Sequence, residues 1–323
     1  MKKKVAILIG ILVLLIICVV YLFILIYKEN TTVGPEITRN ETGQDISKQE
    51  FLYKDELLEL GYTISEIDSI QDKLSNVDIR NYLLTKKYDG LLSFMASPYF
   101  KTPNINRYQT YYDKNSYTYN EVVMYTEIGL DQEFYSNIED ADTERGILIL
   151  VNKYYAIDEN YDANLVAISD ELGGGKMNVD AYDHFKEMCE AAKKDGIKLK
   201  SVSAYRSYNT QKNIYNNYVK KDGIEKADTY SARPGHSEHQ TGLAVDINTA
   251  SSSAHFENTK EYDWLIKNSY KYGFILRYPE DKTFITGYKY EPWHYRYVGE
   301  DAASRINSEN ITFEEYTIKY IDN

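Results

Sequence analysis

Ser237-Glu238-His239-Gln240-Thr241-Gly242-Leu243-Ala244-Val245-Asp246 is the stretch from which the fold can be read. Its second half alternates: Leu243, Val245 and Ile247 face one way and Ala244 and Asp246 the other, the two-residue period of a strand. Gly242 and Ala244 leave room beside the Asp246 carboxylate. A buried carboxylate without a partner is costly, so either a bound cation or backbone amides must satisfy it, and the stretch alone leaves both open. Working outward, Ile197, Leu199 and Ser201 to Ala204 read as a strand before this one, and Trp293 to Val298 alternates as a strand after it. Asn178 is placed to cap a helix carrying Val179, Tyr182, Phe185, Met188, Cys189 and Ala192 on one face, stopped by Gly196. Tyr208 to Lys221 reads as a second helix and Tyr262 to Tyr272 as a third, closed by Gly273. Helices and strands interleave through short, irregular crossovers, which predicts an α+β class: a central, mostly antiparallel sheet flanked by helices.

The rest of the chain bounds what this unit can do. The 323 residues allow about two domains. Lys plus Arg number 37 against 49 Asp plus Glu, and the first 29 residues hold four of the Lys and one Glu, so the remainder is more acidic still. Such a surface repels phosphate backbones, and nucleic acid is excluded as a partner. With 43% hydrophobic and 14% aromatic residues the chain folds. Its two cysteines, Cys18 and Cys189, build no disulfide framework; Cys189 reads as a buried free thiol.

Val5 to Tyr27 contain no charged side chain, and a bilayer core needs about 20 such residues as helix. Lys2, Lys3 and Lys4 precede the run and leave the N-terminus inside, which predicts a single-pass anchor in the cell membrane with the remainder extracytoplasmic. A cleaved signal peptide has a shorter apolar region ending in small residues, whereas Val19 to Tyr27 are bulky. The expected organisation is then 1–28 as cytoplasmic tip and transmembrane helix, 29–50 as flexible stalk, 51–150 as an N-terminal region without an assigned role, and 151–323 as the unit that carries the chemistry. Within 51–150, Thr63 and Glu66 form a capping box before a short helix, 77–92 give a second helical pattern, and the Tyr-rich runs between 98 and 150 read as strands or extended loops. The 33 tyrosines are scattered, which argues for half-buried packing over a saccharide-stacking surface.

Only five histidines are present: His184, His236, His239, His255 and His294. His184 on its helix and His255 in a Ser-rich stretch read as surface positions, and His236, after Pro234-Gly235, as a loop residue near the mouth of the site. Glu291-Pro292-Trp293-His294 places Glu291 on a loop that leads into the strand carrying His294, since Pro292 disfavours helix before it. His294 then reads either as a metal ligand or as a satisfied core histidine. Two His and one Asp give three N and O donors with an open fourth position, the pattern of catalytic zinc sites. Tyr205-Arg206-Ser207 sets an Arg between a strand and a helix, where its guanidinium can recognise a carbonyl or carboxylate.

These three motifs in this order, Tyr205-Arg206-Ser207 with Gln211, Ser237 to Asp246, and Glu291 to Arg296, together resemble the VanY-type D-alanyl-D-alanine carboxypeptidases, within the wider group of zinc metallopeptidases that share them. The resemblance covers about 151–298. It implies a zinc carboxypeptidase domain with the Zn2+ site on the sheet, ligated by His239, Asp246 and His294. It implies a catalytic Glu291, an Arg206 at the scissile region, Ser237 beside the metal, and Ser237 and Gln211 as substrate contacts. The implied substrates are peptidoglycan stem peptides, from which the terminal D-Ala is removed. An L,D-carboxypeptidase acting on tetrapeptide stems is the close alternative. A non-catalytic wall-binding module is a third, against which Glu291 argues, since a purely structural zinc needs no base.

Overall fold

The computed structural model describes residues 52–322; the expected anchor and the whole of the expected stalk lie outside the described residues. Among those described, no helix is long and apolar enough to cross a membrane. The capping box forms as the sequence predicts: Glu66 N donates to Thr63 Oγ1 (3.2 Å) and Thr63 N donates to Glu66 Oε2 (2.7 Å). It opens α1 (Ile64–Lys73), which buries Ile67 and Ile70. The helical pattern over 77–92 forms only in pieces, as turns at Asn76–Asp78, Ile79–Leu83 and Leu91–Phe94, the last preceded by Gly90 in the left-handed region.

The Tyr-rich runs correct the expectation of strands. They form α2 (Ile105–Lys114) and α3 (Tyr119–Ile128). A second capping box, Thr118 with Glu121, starts α3, and Gly129 at φ 102° stops it. Tyrosine's strand preference is a preference for packing against neighbours, and here helix faces supply the neighbours: Tyr119 stacks on Tyr112 at 4.5 Å and meets Phe94 edge-on at 4.9 Å. Leu57, Ile67, Phe94, Ile105 and Tyr108 join in a core of their own.

Beyond this helical region, β1 (Leu165–Ala167) and β2 (Lys176–Asn178) pair antiparallel. Asn178 caps α4 (Val179–Lys194) as predicted, its Oδ1 accepting from Asp180 N at 3.0 Å. β3 (Lys200–Ser203), α5 (Tyr208–Asp222), β4 (Ala244–Asn248), α6 (Lys260–Asn268), β5 (Phe274–Leu276) and β6 (His294–Tyr297) follow, then α7 (Glu300–Glu309) and α8 (Phe313–Tyr320). The expected third helix thus starts two residues early and ends in a tighter 269–272 turn. Strands β3 to β6 form a four-stranded antiparallel sheet in the order β3-β4-β6-β5, which makes the fold the mixed helix-and-sheet one expected.

The two faces of this sheet have different chemistry. Val245, Ile247, Tyr295 and Tyr297 pack with Phe185 and Met188 of α4 in the main core, where each such side chain contributes roughly 1.5–3 kcal/mol by leaving water. Cys189 lies in that core as a free thiol, pushed up to about 12 by burial. On the opposite face the register aligns Ser203, Asp246 and His294 across three adjacent strands, and Ala244, Arg296 and Ile275 in the next row. Gly242 makes the sharp approach to β4 possible. Its φ is +72°, and a Cβ there would lie 2.8 Å from the Leu165 side chain and 2.9 Å from Asn178 N.

Candidate active site

Asp246 and His294 are cross-strand partners, so the sheet itself sets their spacing: His294 Nδ1 lies 3.1 Å from Asp246 Oδ1. His239 comes from the one-turn helix Glu238–Thr241 that precedes β4. Its Nδ1 is 2.7 Å from the Ala204 carbonyl, which leaves Nε2 facing Asp246 Oδ1 at 3.4 Å. The three donor atoms lie within 4.8 Å of one another, and they are the cluster among the described residues that could hold a metal ion. Two imidazoles and one carboxylate are the donor set of a catalytic zinc site with an open position, and a carbonyl holding the distal nitrogen of His239 orients that ring as ligating histidines require.

Burial works against charge on Asp246, but His239 and His294 outweigh it and hold the carboxyl far below the usual range. Burial likewise opposes charge on His294, yet Asp246 and Glu238 pull it up to about 9; ligation needs that proton gone from the binding nitrogen. Glu291 follows the loop expected from Pro292, with Oε2 3.7 Å from His294 Nδ1. Burial pushes its carboxyl up to about 7, Asp246 adding to the push and His294 opposing it. A carboxyl poised near neutrality can both take and return a proton at working pH.

That shift has a measurable consequence in the metal-free chain. The folded-state value lies above the free one, so Glu291 contributes stability at acidic pH that is lost as pH rises through about 7. Glu291→Gln stays neutral throughout. The metal-free variant is therefore expected to melt higher than the metal-free parent at pH 8, by at most about 3 kcal/mol of stability, and to converge with it towards pH 5. Thermal melts in chelator at both pH values check this; an equal difference at both would contradict it.

Arg206 lies in the turn between β3 and α5 and lines the same cleft of about 300 Å³ as Ser237, Glu291 and Trp293. Its guanidinium donates to Ser203 Oγ (3.0 Å) and Gln211 Oε1 (2.8 Å). Gln211 is buried, and its amide donates to the Ala232 carbonyl at 2.7 Å. It lines the cleft and holds Arg206 there. His236 is not at a mouth: it is buried, with Nδ1 2.7 Å from the Asn152 carbonyl and its ring edge-on to Tyr135. His255 is exposed as expected, and His184 is half-buried against the Tyr297 ring.

Sequence reasoning missed Glu238, Arg277 and Arg296. All three are fully buried, and Glu238 accepts from both guanidinium groups. Burial raises the Glu238 carboxyl, but Arg277, Arg296 and His294 win and hold it ionised. The available signal was Arg296, two residues beyond His294 on the same strand face. A larger hollow of about 400 Å³ beside α8 is lined by Lys101, Glu127, Arg145 and Asp322; Arg145 pairs with Asp322 and Lys101 with Glu127, and no histidine lines it.

Comparison with known proteins agrees with this geometry. Residues 174–300 match the family VanY, D-alanyl-D-alanine carboxypeptidase. YodJ of Bacillus subtilis (strain 168), provisionally named a carboxypeptidase, is 42% identical over 208 residues, covering 59% of this chain and 76% of YodJ. A D-alanyl-D-alanine carboxypeptidase of Enterococcus faecalis (strain ATCC 700802 / V583) is 39% identical over 187 residues, 55% of this chain and 68% of that protein. The solved structure of the LdcB LD-carboxypeptidase, described as revealing the molecular basis of peptidoglycan recognition, superposes with a TM-score of 0.53 at 44% identity, over 57% of this chain and 91% of LdcB. An antiparallel sheet whose polar face gathers two histidines and an aspartate, with a poised carboxyl beside them, thus coincides with sequence identity over most of these relatives: the chain belongs to the VanY family of D-alanyl-D-alanine carboxypeptidases, which are zinc-dependent peptidases.

Proposed function

We propose that this chain is a D,D-carboxypeptidase that removes the terminal D-Ala from peptidoglycan stem peptides on the outer side of the cell membrane, anchored by residues 1–28. The observation that carries the reading is the convergence of His239 Nε2, Asp246 Oδ1 and His294 Nδ1 with the Glu291 carboxylate 3.7 Å from the last of them. The three donors would hold the zinc, which when bound supplies an electrophile for the scissile carbonyl and a more acidic water. Glu291 takes the proton from the attacking water and passes it to the departing amine of D-Ala. Arg206, held by Ser203 and Gln211, donates to the carbonyl oxygen as negative charge builds there; losing one such donor typically costs about 10²- to 10³-fold in rate. The uncharged run Val5 to Tyr27 behind three lysines supports the anchor, and an outward-facing hydrolase meets cell-wall peptides there.

A carboxypeptidase must recognise a free C-terminal carboxylate, and Arg206, Ser237, Gln211 and backbone amides are donors near the cleft. An acidic protein gains little by long-range attraction of an anionic peptide, so selectivity rests on these close contacts. Amidating the terminal D-Ala of a pentapeptide stem is expected to abolish cleavage while the free acid releases one D-Ala. Equal or internal cleavage of the amidated peptide, seen by mass spectrometry, would make the protein an endopeptidase. The likeness to LdcB supports a second reading, an L,D-carboxypeptidase on tetrapeptide stems, with the same side-chain roles and a differently shaped pocket.

A further inference from the structure

Glu238 sits between Ser237 and His239, is wholly buried, and lies against two buried guanidinium groups. Removing a carboxylate from water costs several kcal/mol unless it is fully compensated, so its surroundings are informative. Its Oε1 accepts from Arg277 Nε at 2.8 Å and from Arg296 Nη1 at 3.0 Å. Every nitrogen of both guanidinium groups has an acceptor. Arg277 forks onto Glu314 of α8, Nη1 to Oε2 at 2.9 Å and Nη2 to Oε1 at 2.6 Å. Arg296 donates to the carbonyls of Tyr297, Ile147 and Ile149. The carboxylate cannot turn away, and its Oε2 is left facing His294 Nε2 at 3.3 Å.

We infer that Glu238 is a positioning residue for the metal centre: it holds the proton of His294 on Nε2 and so directs Nδ1 towards Asp246 and His239. A neutral imidazole has one N–H and one lone pair. A carboxylate that accepts from two guanidinium groups has no proton to give, so the nitrogen facing it must be the donor. His239 is set the other way, because the Ala204 carbonyl faces its Nδ1 and leaves Nε2 free to ligate. The two rings thus present opposite nitrogens to one point beside Asp246, each fixed by a different acceptor. Arg277 and Arg296 keep Glu238 charged and still, and Glu314 balances Arg277, which ties the centre to β5, β6 and the C-terminal helix. The inference rests on the reading of His294 as a zinc ligand and adds which nitrogen binds and what selects it.

The test uses the purified full chain. In the zinc-loaded parent labelled with ¹⁵N-histidine, NMR is expected to show His294 with a proton on Nε2 and a metal-shifted Nδ1. Metal-shifted Nε2 would overturn the inference and leave His294 a ligand, whereas no zinc-dependent shift on either nitrogen would overturn the ligand reading itself. A pair of variants adds an independent arm. Glu238→Gln is expected to weaken zinc binding by about 10- to 100-fold, the usual effect of losing such an outer partner. Glu314→Gln disturbs the same arginine network but leaves the Glu238 carboxylate against His294, so it should lower the melting temperature and weaken zinc binding less than Glu238→Gln does. Equal weakening in both variants, or none in Glu238→Gln, would reduce Glu238 to a packing role. Should Glu238→Gln fail to fold, the NMR measurement on the parent decides alone.

Discussion

Replacing His294 by Ala is expected to abolish both zinc retention and turnover. The parent should bind about one zinc per chain, as three ligands and an open position imply. His294 is the side chain on which the site converges: Asp246 lies 3.1 Å from its Nδ1, Glu291 3.7 Å from the same atom, and Glu238 3.3 Å from Nε2. Without the imidazole, Asp246 and His239 remain as two donors, and three buried or nearly buried carboxyl groups lose a common cationic or ligating partner. Zinc should then be lost on dialysis, and rate with it by several orders of magnitude, because the electrophile disappears with the metal. Metal analysis by mass spectrometry reads the outcome. Full zinc occupancy in the variant would place the metal elsewhere, although His236 is a poor substitute, since its ring packs edge-on to Tyr135 and lies outside the cluster of converging donor atoms.

Glu291→Gln separates chemistry from assembly. The amide keeps the shape of the side chain and removes its basicity, so the protein should stay folded and zinc-loaded while turnover falls by about 10²- to 10⁴-fold. The geometry explains why the two properties come apart. Glu291 is on the loop before β6, outside the trio whose donor atoms converge, and its carboxyl is raised to about 7, the range of a group that exchanges protons at neutral pH. Near-normal turnover would show that another group takes the proton. Loss of zinc in this variant would make Glu291 a ligand.

The site was legible in the sequence to the extent that neighbours along the chain are neighbours in space. Asp246 shares a strand with Ala244 at the two-residue period, His294 opens a strand of its own, and one antiparallel pairing sets them opposite each other. Glu291 follows from Pro292 in the same local way. What local pattern could not give was the buried charge network, because Glu238 meets Arg277 and Arg296 only through long-range packing, 39 and 58 residues away. Nothing in Ser237-Glu238-His239 distinguishes a solvated glutamate from one enclosed by two guanidinium groups. Gln211 shows the same limit: its place in the motif was readable, but that its amide holds Arg206 and the Ala232 carbonyl was not. The Tyr-rich region misled for another reason. Ring packing satisfied tyrosine there on helices, and the Thr118–Glu121 capping box, which marks the start of α3, was the local signal overlooked.

Zinc-dependent removal of one terminal D-Ala by the His239, Asp246, His294 and Glu291 centre can be read by incubating the full chain with a pentapeptide stem and a tetrapeptide stem in parallel and following the products by mass spectrometry. The pentapeptide is expected to lose a single D-Ala, the tetrapeptide to stay intact, and a chelator to stop the reaction until zinc is restored. Loss of D-Ala from the tetrapeptide alone would replace the D,D reading with the L,D one, and release that continues unchanged in chelator would contradict zinc-dependent cleavage altogether.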